Sequence, residues 1–304
     1  MISIITAVHN QLEFNKLFLH SLRKNSCLPY ELIIVDNHST DGSAEFFEQE
    51  GCTVIRNPEN HCYPESQNMG MKLAKYDYFA FLNNDVFVGP EWDKRVIEGM
   101  RMHGLDVAAL GCWESVEDPY LRRKFNQRWK WLRKGNRYLN KGPESLEVMM
   151  NKLYDVDFET WCEDQHQQFY PSVHYGLCGS AVVTTRQAWD KLDANWDEEM
   201  ESADWDLLIR TSKLAATSNT IRPPHTIPWA LHHHFSRVTF RNKPEPRACK
   251  HEHKGVHEKW TQEEISKYGP KSLREHGFYI TLRKFIKKFR ISKNVNRENV
   301  EIKS

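Results

Sequence analysis

Residues Tyr78–Val88 read YFAFLNNDVFV. An apolar run rich in aromatic and β-branched residues predicts a buried strand. It ends abruptly in Asn83-Asn84-Asp85, three polar residues where an open α/β sheet presents its ligand crevice. A carboxylate beside amides is hard-oxygen chemistry, suited to Mg²⁺ or Mn²⁺ carrying a diphosphate. The plainer alternative is a polar turn in which Asp85 caps the next helix.

Outward from this stretch the chain alternates. Strands are expected at Ile2–Val8, Glu31–Val35, Thr53–Arg56 and Val107–Gly111. Helices are expected at Leu12–Asn25, Ala44–Glu50, Pro64–Lys75 and Glu91–His103. In the first helix Phe14, Leu17, Phe18 and Leu22 recur on one face. This rhythm predicts an α/β fold with a mostly parallel sheet flanked by helices. Right-handed crossovers then gather the polar strand ends along one edge. The alternation breaks over Trp113–Tyr175 and resumes with a strand at Gly179–Thr184, a helix at Asp204–Leu214 and a strand at Ile227–His233. Further helical signals fall at His257–Tyr268 and Ser272–Phe289.

The 304 residues carry a net charge of +1, so composition alone implies no polyanionic partner. No stretch is long and apolar enough to span a bilayer, and Met1-Ile2-Ser3-Ile4-Ile5 lacks the basic start of a signal peptide. Seven cysteines without close pairs argue against a disulfide framework or a zinc ribbon. The expectation is a reduced, cytoplasmic protein.

The order of the motifs is more specific than any one of them. Thr6-Ala7-Val8-His9-Asn10 ends the first strand, and Val35-Asp36 opens a polar loop running to Ser43. Asn60, Asn68 and Asn83-Asn84-Asp85 follow. Together they resemble the nucleotide-sugar half of the family-two glycosyltransferases, which have the GT-A fold. The likeness is strong over Met1–Gly111 and moderate over Tyr175–Phe235. Together with the break in rhythm it divides the chain into four expected regions: a nucleotide-sugar half at 1–111, a basic and aromatic insertion at 112–175 outside the likeness, an acceptor and catalytic half at 176–242, and a helical basic extension at 243–304, also outside it. It also implies that Asp36 binds the base or ribose, which suits a strand-end carboxylate. Thr6, Ala7 and His9 would wrap the same nucleoside, and Asn68 would reach sugar or phosphate. Asn83-Asn84-Asp85 corresponds to the family's Asp-x-Asp, with Asn83 in place of the first acid. Asp85 would hold Mn²⁺ or Mg²⁺, and Asn83 and Asn84 would lie against the nucleotide sugar.

In the second half, Trp196–Leu207 (WDEEMESADWDL) is similar to the family's acidic motif. The match puts Asp204 at the base position; Ala203 stands where the family has Glu, so Glu201 is the second candidate. Trp229-Ala230-Leu231-His232-His233-His234 follows. On a strand His232 and His234 share a face, and the likeness makes one of them a metal ligand, without choosing between them. The implied reaction is inverting glycosyl transfer from a nucleotide-diphosphate sugar, UDP by default. Cys178 reads as packing.

Between Pro119 and Pro143 there is no acid, and Arg and Lys interleave with aromatics. Arg128, Trp129 and Trp131 are the candidate acceptor-binding residues, for an anionic glycan or lipid-linked sugar. Tyr279–Ile291 reads as a basic amphipathic helix, suited to peripheral contact with the inner face of a membrane. Three other readings stand beside this one: a phage-type enzyme glycosylating modified bases in DNA, a non-catalytic nucleotide-sugar or glycan-binding module, and a nucleotidyltransferase. The last lacks a glycine-rich, basic phosphate loop near the N-terminus.

Overall fold

The computed structural model describes residues 1–134, 137–139, 141–193, 195–238 and 246–270. The expected helix at Ser272–Phe289 and the amphipathic stretch Tyr279–Ile291 lie outside the described residues.

The first half alternates as the periodicities require. Strands β1 (Ile2–Val8), β2 (Tyr30–Asn37) and β3 (Thr53–Asn57) are joined by helices α1 (Leu12–Asn25) and α2 (Ser43–Gln49). Helix α3 (Tyr63–Met71) leads to β4 (Tyr78–Leu82). The stretch 78–88 holds two strands, the one expected to end at Asn83-Asn84-Asp85 and a second beyond it. Asn83-Asn84-Asp85 breaks it, and β5 (Val86–Val88) leaves β4's neighbours for another part of the sheet. Helix α4 (Trp92–His103) and β6 (Val107–Gly111) complete this half.

Three helices follow: α5 (Pro119–Leu132), α6 (Pro143–Asn151) and α7 (Phe158–Phe169). The chain returns to the sheet through β7 (His174–Tyr175) and β8 (Ala181–Thr185). Helices α8 (Arg186–Lys191) and α9 (Ala203–Ser218) precede β9 (His225–His234). Two short helices, α10 (Val256–Lys259) and α11 (Gln262–Tyr268), end the described chain.

The strands run in the order β3-β2-β1-β4-β8-β6-β9-β5, with β7 beside β9. Pairing is parallel from β3 to β4 and between β6 and β9; β8 is antiparallel to both its neighbours, and β5 and β7 are antiparallel to β9. The parallel rhythm read from the sequence therefore describes the first four strands, and the rest of the sheet is mixed.

Both faces are covered, which is why the strands read as continuous apolar runs. Ile2, Ile4, Ile34, Ala80 and Leu82 pack with α1 and α4, around Phe18, Leu22, Trp92 and Val96. The alternate residues Ile5, Ile33, Phe79 and Phe81 pack on the other face with Trp189 and Leu207. There Gly70 lets α3 lie against the sheet, since a Cβ at Gly70 would sit 2.5 Å from Ile5 Cγ2. A third core joins α5, α6 and α7 to the end of β9 through Trp113, Phe125, Trp129, Phe158 and Phe235.

One expectation is corrected here. Cys62, just before α3, and Cys249 are joined by a disulfide across 187 residues of sequence. Spacing could not reveal it, because the fold alone brings the two positions together. Among the described residues no helix is long and apolar enough to cross a membrane.

Candidate active site

The polar strand ends meet at one edge of the sheet, and their side chains are already tied to one another. Asn15 of α1 donates to Ser43 Oγ at 2.8 Å and accepts from Asn84 Nδ2 at 2.8 Å. Asn10 accepts from Thr40 N–H, and His9 Nδ1 lies 2.6 Å from the Asn37 carbonyl. Asp36 is buried; its Oδ2 accepts from Ser39 N–H at 3.1 Å, while Oδ1 has no hydrogen-bond partner among the described residues. Thr6 Oγ1, on neighbouring β1, is buried and likewise unpaired. Buried oxygens of this kind are costly unless a ligand satisfies them. Ala7 is partly exposed.

Asn68 does something other than expected. Its amide donates to the Trp196 carbonyl and to Glu198 Oε1, both at 2.9 Å, and its oxygen accepts from Trp196 N–H at 2.8 Å. It is committed to holding the acidic loop before α9, not to reaching a sugar or phosphate.

Register decides which histidine meets Asp85. Because β5 pairs antiparallel with β9, Val86 lies opposite His234 and Val88 opposite His232. His234 Nε2 sits 3.5 Å from Asp85 Oδ1, and its Nδ1 sits 2.6 Å from Glu114 Oε2. Burial alone would push the His234 imidazole down, but Asp85 and Glu114 outweigh it and raise it to about 9. Burial pushes the Asp85 carboxyl up. The imidazole thus lies between the Asp85 and Glu114 carboxyl groups. A divalent cation on Asp85 and Nε2 would satisfy the same charges, with Glu114 fixing the ring from behind as carboxylates do for metal-binding histidines. The donor set fits Mn²⁺ or Mg²⁺. Glu114, just past the end of β6, was not singled out from sequence; its partner is 120 residues away, and its only local signal is its place after a strand.

The other two histidines part company. His232 is buried, with Nε2 2.8 Å from Ser180 Oγ. Its ring lies within 4.8 Å of the sulfurs of Cys112 and Cys178, which are 3.3 Å apart. Cys178 thus has a histidine neighbour, contrary to its reading as packing. His233 points the opposite way, against Tyr154, Trp129 and Phe235.

Asp204 lies in the first turn of α9 and is partly exposed. A Cβ on Gly179 would fall 2.2 Å from its Oδ2, so the carboxylate lies directly against the Gly179 backbone. Desolvation pushes its pKa up to about 6, against the backbone N–H of Trp205, which holds it down. Ser180 carbonyl accepts from Asn83 N–H at 3.0 Å. The segment Cys178-Gly179-Ser180 thereby touches Asp204, the Asn83 strand tip and His232 together. Glu201 is exposed, and its backbone N–H donates to the Lys254 carbonyl. Asp206 is fully buried on Lys259, Trp260 and Arg210.

The expected acceptor residues separate. Trp129 is core, not surface: it is 2% exposed, and its Nε1 donates to the Ser236 carbonyl at 3.0 Å. Helical periodicity turns Phe125, Trp129 and Leu132 inward together. Arg128 is tied to Asp155 and the Leu153 carbonyl. Trp131 is 58% exposed, with Arg137 over its ring.

A mixed sheet covered by helices on both faces, with amides, a carboxylate and histidines at its polar edge, defines a GT-A type α/β protein. Residues 3–159, just over half the chain, match the model of glycosyl transferase family 2, and the chain belongs to that family. An uncharacterized glycosyltransferase of Haemophilus influenzae is 33% identical over 99 residues, 32% of this chain and 34% of that protein. A poly(ribitol-phosphate) beta-glucosyltransferase of Bacillus spizizenii is 34% identical over 99 residues, 30% of this chain and 16% of that one. The chain thus spans about a third or less of the length of these curated relatives. The solved mannosyltransferase PcManGT of Pyrobaculum calidifontis, in complex with GDP-Man and Mn²⁺, aligns over 76% of this chain and 56% of its own, at 11% identity and a TM-score of 0.49.

Proposed function

We propose that the chain is a metal-dependent, inverting glycosyltransferase that moves a sugar from a nucleotide-diphosphate sugar to an acceptor hydroxyl. The observation that carries this reading is the convergence on Cys178-Gly179-Ser180: a carboxylate of raised pKa on one side, the Asn83–Asp85 strand tip and the histidines on the other.

Each residue has a role its surroundings support. Asp36 Oδ1 and Thr6 Oγ1 accept or donate hydrogen bonds to the nucleoside, with Ala7 and His9 beside it. Asn83 and Asn84 line the sugar-diphosphate end. Asp85 and His234 would hold Mn²⁺ or Mg²⁺, and Glu114 orients His234. When bound, the ion neutralises charge growing on the departing diphosphate. Asp204 takes the acceptor hydroxyl proton as that oxygen attacks. With its pKa near 6 it is mostly ionised at neutral pH, yet basic enough to accept the proton. One displacement inverts the anomeric carbon, so no covalent sugar–protein bond is needed. UDP-sugars are the default donors. The exposed Trp131, with Arg137 over its ring and Lys134 lining the same recess, supports an anionic acceptor, a phosphorylated or lipid-linked glycan.

The test is a thermal-shift panel of nucleotide sugars with and without Mn²⁺, followed by a transfer assay with the stabilising donor. EDTA is expected to stop transfer, and Mn²⁺ or Mg²⁺ to restore it. Full activity in chelator would remove the metal from the reading, and no stabilisation by any nucleotide sugar would remove the reading itself.

A further inference from the structure

Away from this edge, a second group of metal-type ligands joins the end of the described chain to its first half. The sulfurs of Cys62 and Cys249 and a ring nitrogen of His253 all lie within 4.8 Å of one another. Cys62 immediately precedes α3, at a helix start where negative charge is favoured. His253 Nε2 is buried with no hydrogen-bond partner among the described residues. A disulfide between Cys62 and Cys249 leaves that nitrogen unpaired, whereas a metal ligated by all three side chains does not.

The surrounding backbone is already fixed for such a site. Ala248 N–H donates to the Asn60 carbonyl at 2.8 Å, and Lys250 N–H to Glu65 Oε1 at 2.6 Å. Lys254, next to His253, donates its N–H to the Glu199 carbonyl and accepts from Glu201 N–H. Positions 249 and 253 are thus held while their side chains converge on Cys62. Two thiolates and an imidazole are the donor set of zinc and other borderline-soft divalent ions.

We propose that Cys62, Cys249 and His253 bind one Zn²⁺ when the two cysteines are reduced, with water in the fourth position. The disulfide and the zinc site are alternative states of one pair of sulfurs. A dithiol reductant gives two electrons to the Cys62–Cys249 bond and becomes a cyclic disulfide, leaving two thiols. Zinc then displaces one proton from each thiol and binds neutral His253. Loaded, the site clamps residues 246–254 onto α3, whose Asn68 holds the loop before α9. This inference does not depend on the proposed reaction.

The experiment uses the full chain, reduced with a dithiol, given Zn²⁺ alone and passed through a desalting column. Bound zinc is measured by mass spectrometry of the metal. One zinc per chain is expected, with a rise in Tm. His253→Ala and Cys249→Ser should each lower affinity at least tenfold. Should either variant fold poorly, the wild type carries the test by itself: zinc should protect Cys62 and Cys249 from alkylation and leave the exposed Cys27 reactive. Absence of bound zinc in the reduced chain would overturn the proposal. So would zinc that remains in folded Cys249→Ser, or zinc that protects Cys112 and Cys178 instead. An unchanged zinc affinity in folded His253→Ala would remove the three-ligand site.

Discussion

At the level of single residues, environment separates acids that look alike in the sequence. Glu201, Asp204 and Asp206 lie within six positions, yet the first is exposed, the second lies against Gly179 with a raised pKa, and the third is locked on Lys259. Asp204→Asn should cut transfer at least a thousandfold while donor binding, read by thermal shift, survives; near-normal transfer would sink the assignment. Under the proposed function Asp204 acts ionised, so with a pKa near 6 the rate should be halved at about pH 6 and fall about tenfold per unit below it. The stability effect runs the other way. A carboxyl whose folded pKa is raised favours folding in its protonated form, fully below its unfolded value near 4, and loses that contribution as pH rises through 6. Asp204→Asn should therefore be no less stable than wild type at pH 7.5. For Glu114, which touches the site only through His234, Glu114→Gln should weaken Mn²⁺ affinity about 10- to 100-fold. Titration calorimetry with Mn²⁺ checks this, and an unchanged affinity would reduce Glu114 to a surface residue.

At the level of elements, periodicity was a good guide wherever one face of a helix or both faces of a strand were buried. The bounds of α1 follow from Phe14, Leu17, Phe18 and Leu22 alone. The break at Asn83-Asn84-Asp85 was legible, but not the strand beyond it, because β5 is a strand only by virtue of β9, more than 130 residues later. That same pairing brings His234, not His232, to Asp85. Asp36 and Asp85 could be found from strand-end position; Glu114 could not. The core place of Trp129 is legible in the sequence, since Phe125, Trp129 and Leu132 are spaced as an inward helix face. The consequence is a contrast within one helix. Trp129→Ala should cost about 3–5 kcal/mol for a fully buried ring, and Trp131→Ala within about 0.5 kcal/mol at the surface. Urea unfolding of both variants measures the pair. Equal losses would mean that α5 packs otherwise than described. Under the proposed function, Trp131→Ala should instead raise the KM for acceptor.

At the scale of the whole molecule, the described C-terminal residues act as a brace for the acidic loop and α9. Lys259 bonds Asp197 in the acidic loop and Asp206 in α9, and Trp260 Nε1 donates to Asp206 Oδ1 at 2.9 Å. Asp206 is fully buried and Lys259 is not. Removing the lysine therefore strands a buried carboxylate, with Arg210 Nε, 3.4 Å away, as its remaining cation among the described residues. Breaking one side of such a pair costs about 3–5 kcal/mol, whereas replacing both sides with apolar groups costs far less. Lys259→Met should thus lower stability by about 3 kcal/mol, and Lys259→Met with Asp206→Leu should recover a good part of it. Because Asp206 is two residues from Asp204, the single variant should also lower the transfer rate more than donor affinity. A double variant no more stable than the single one, in reversible urea unfolding, would show that the brace works through packing around Trp260 and not through charge.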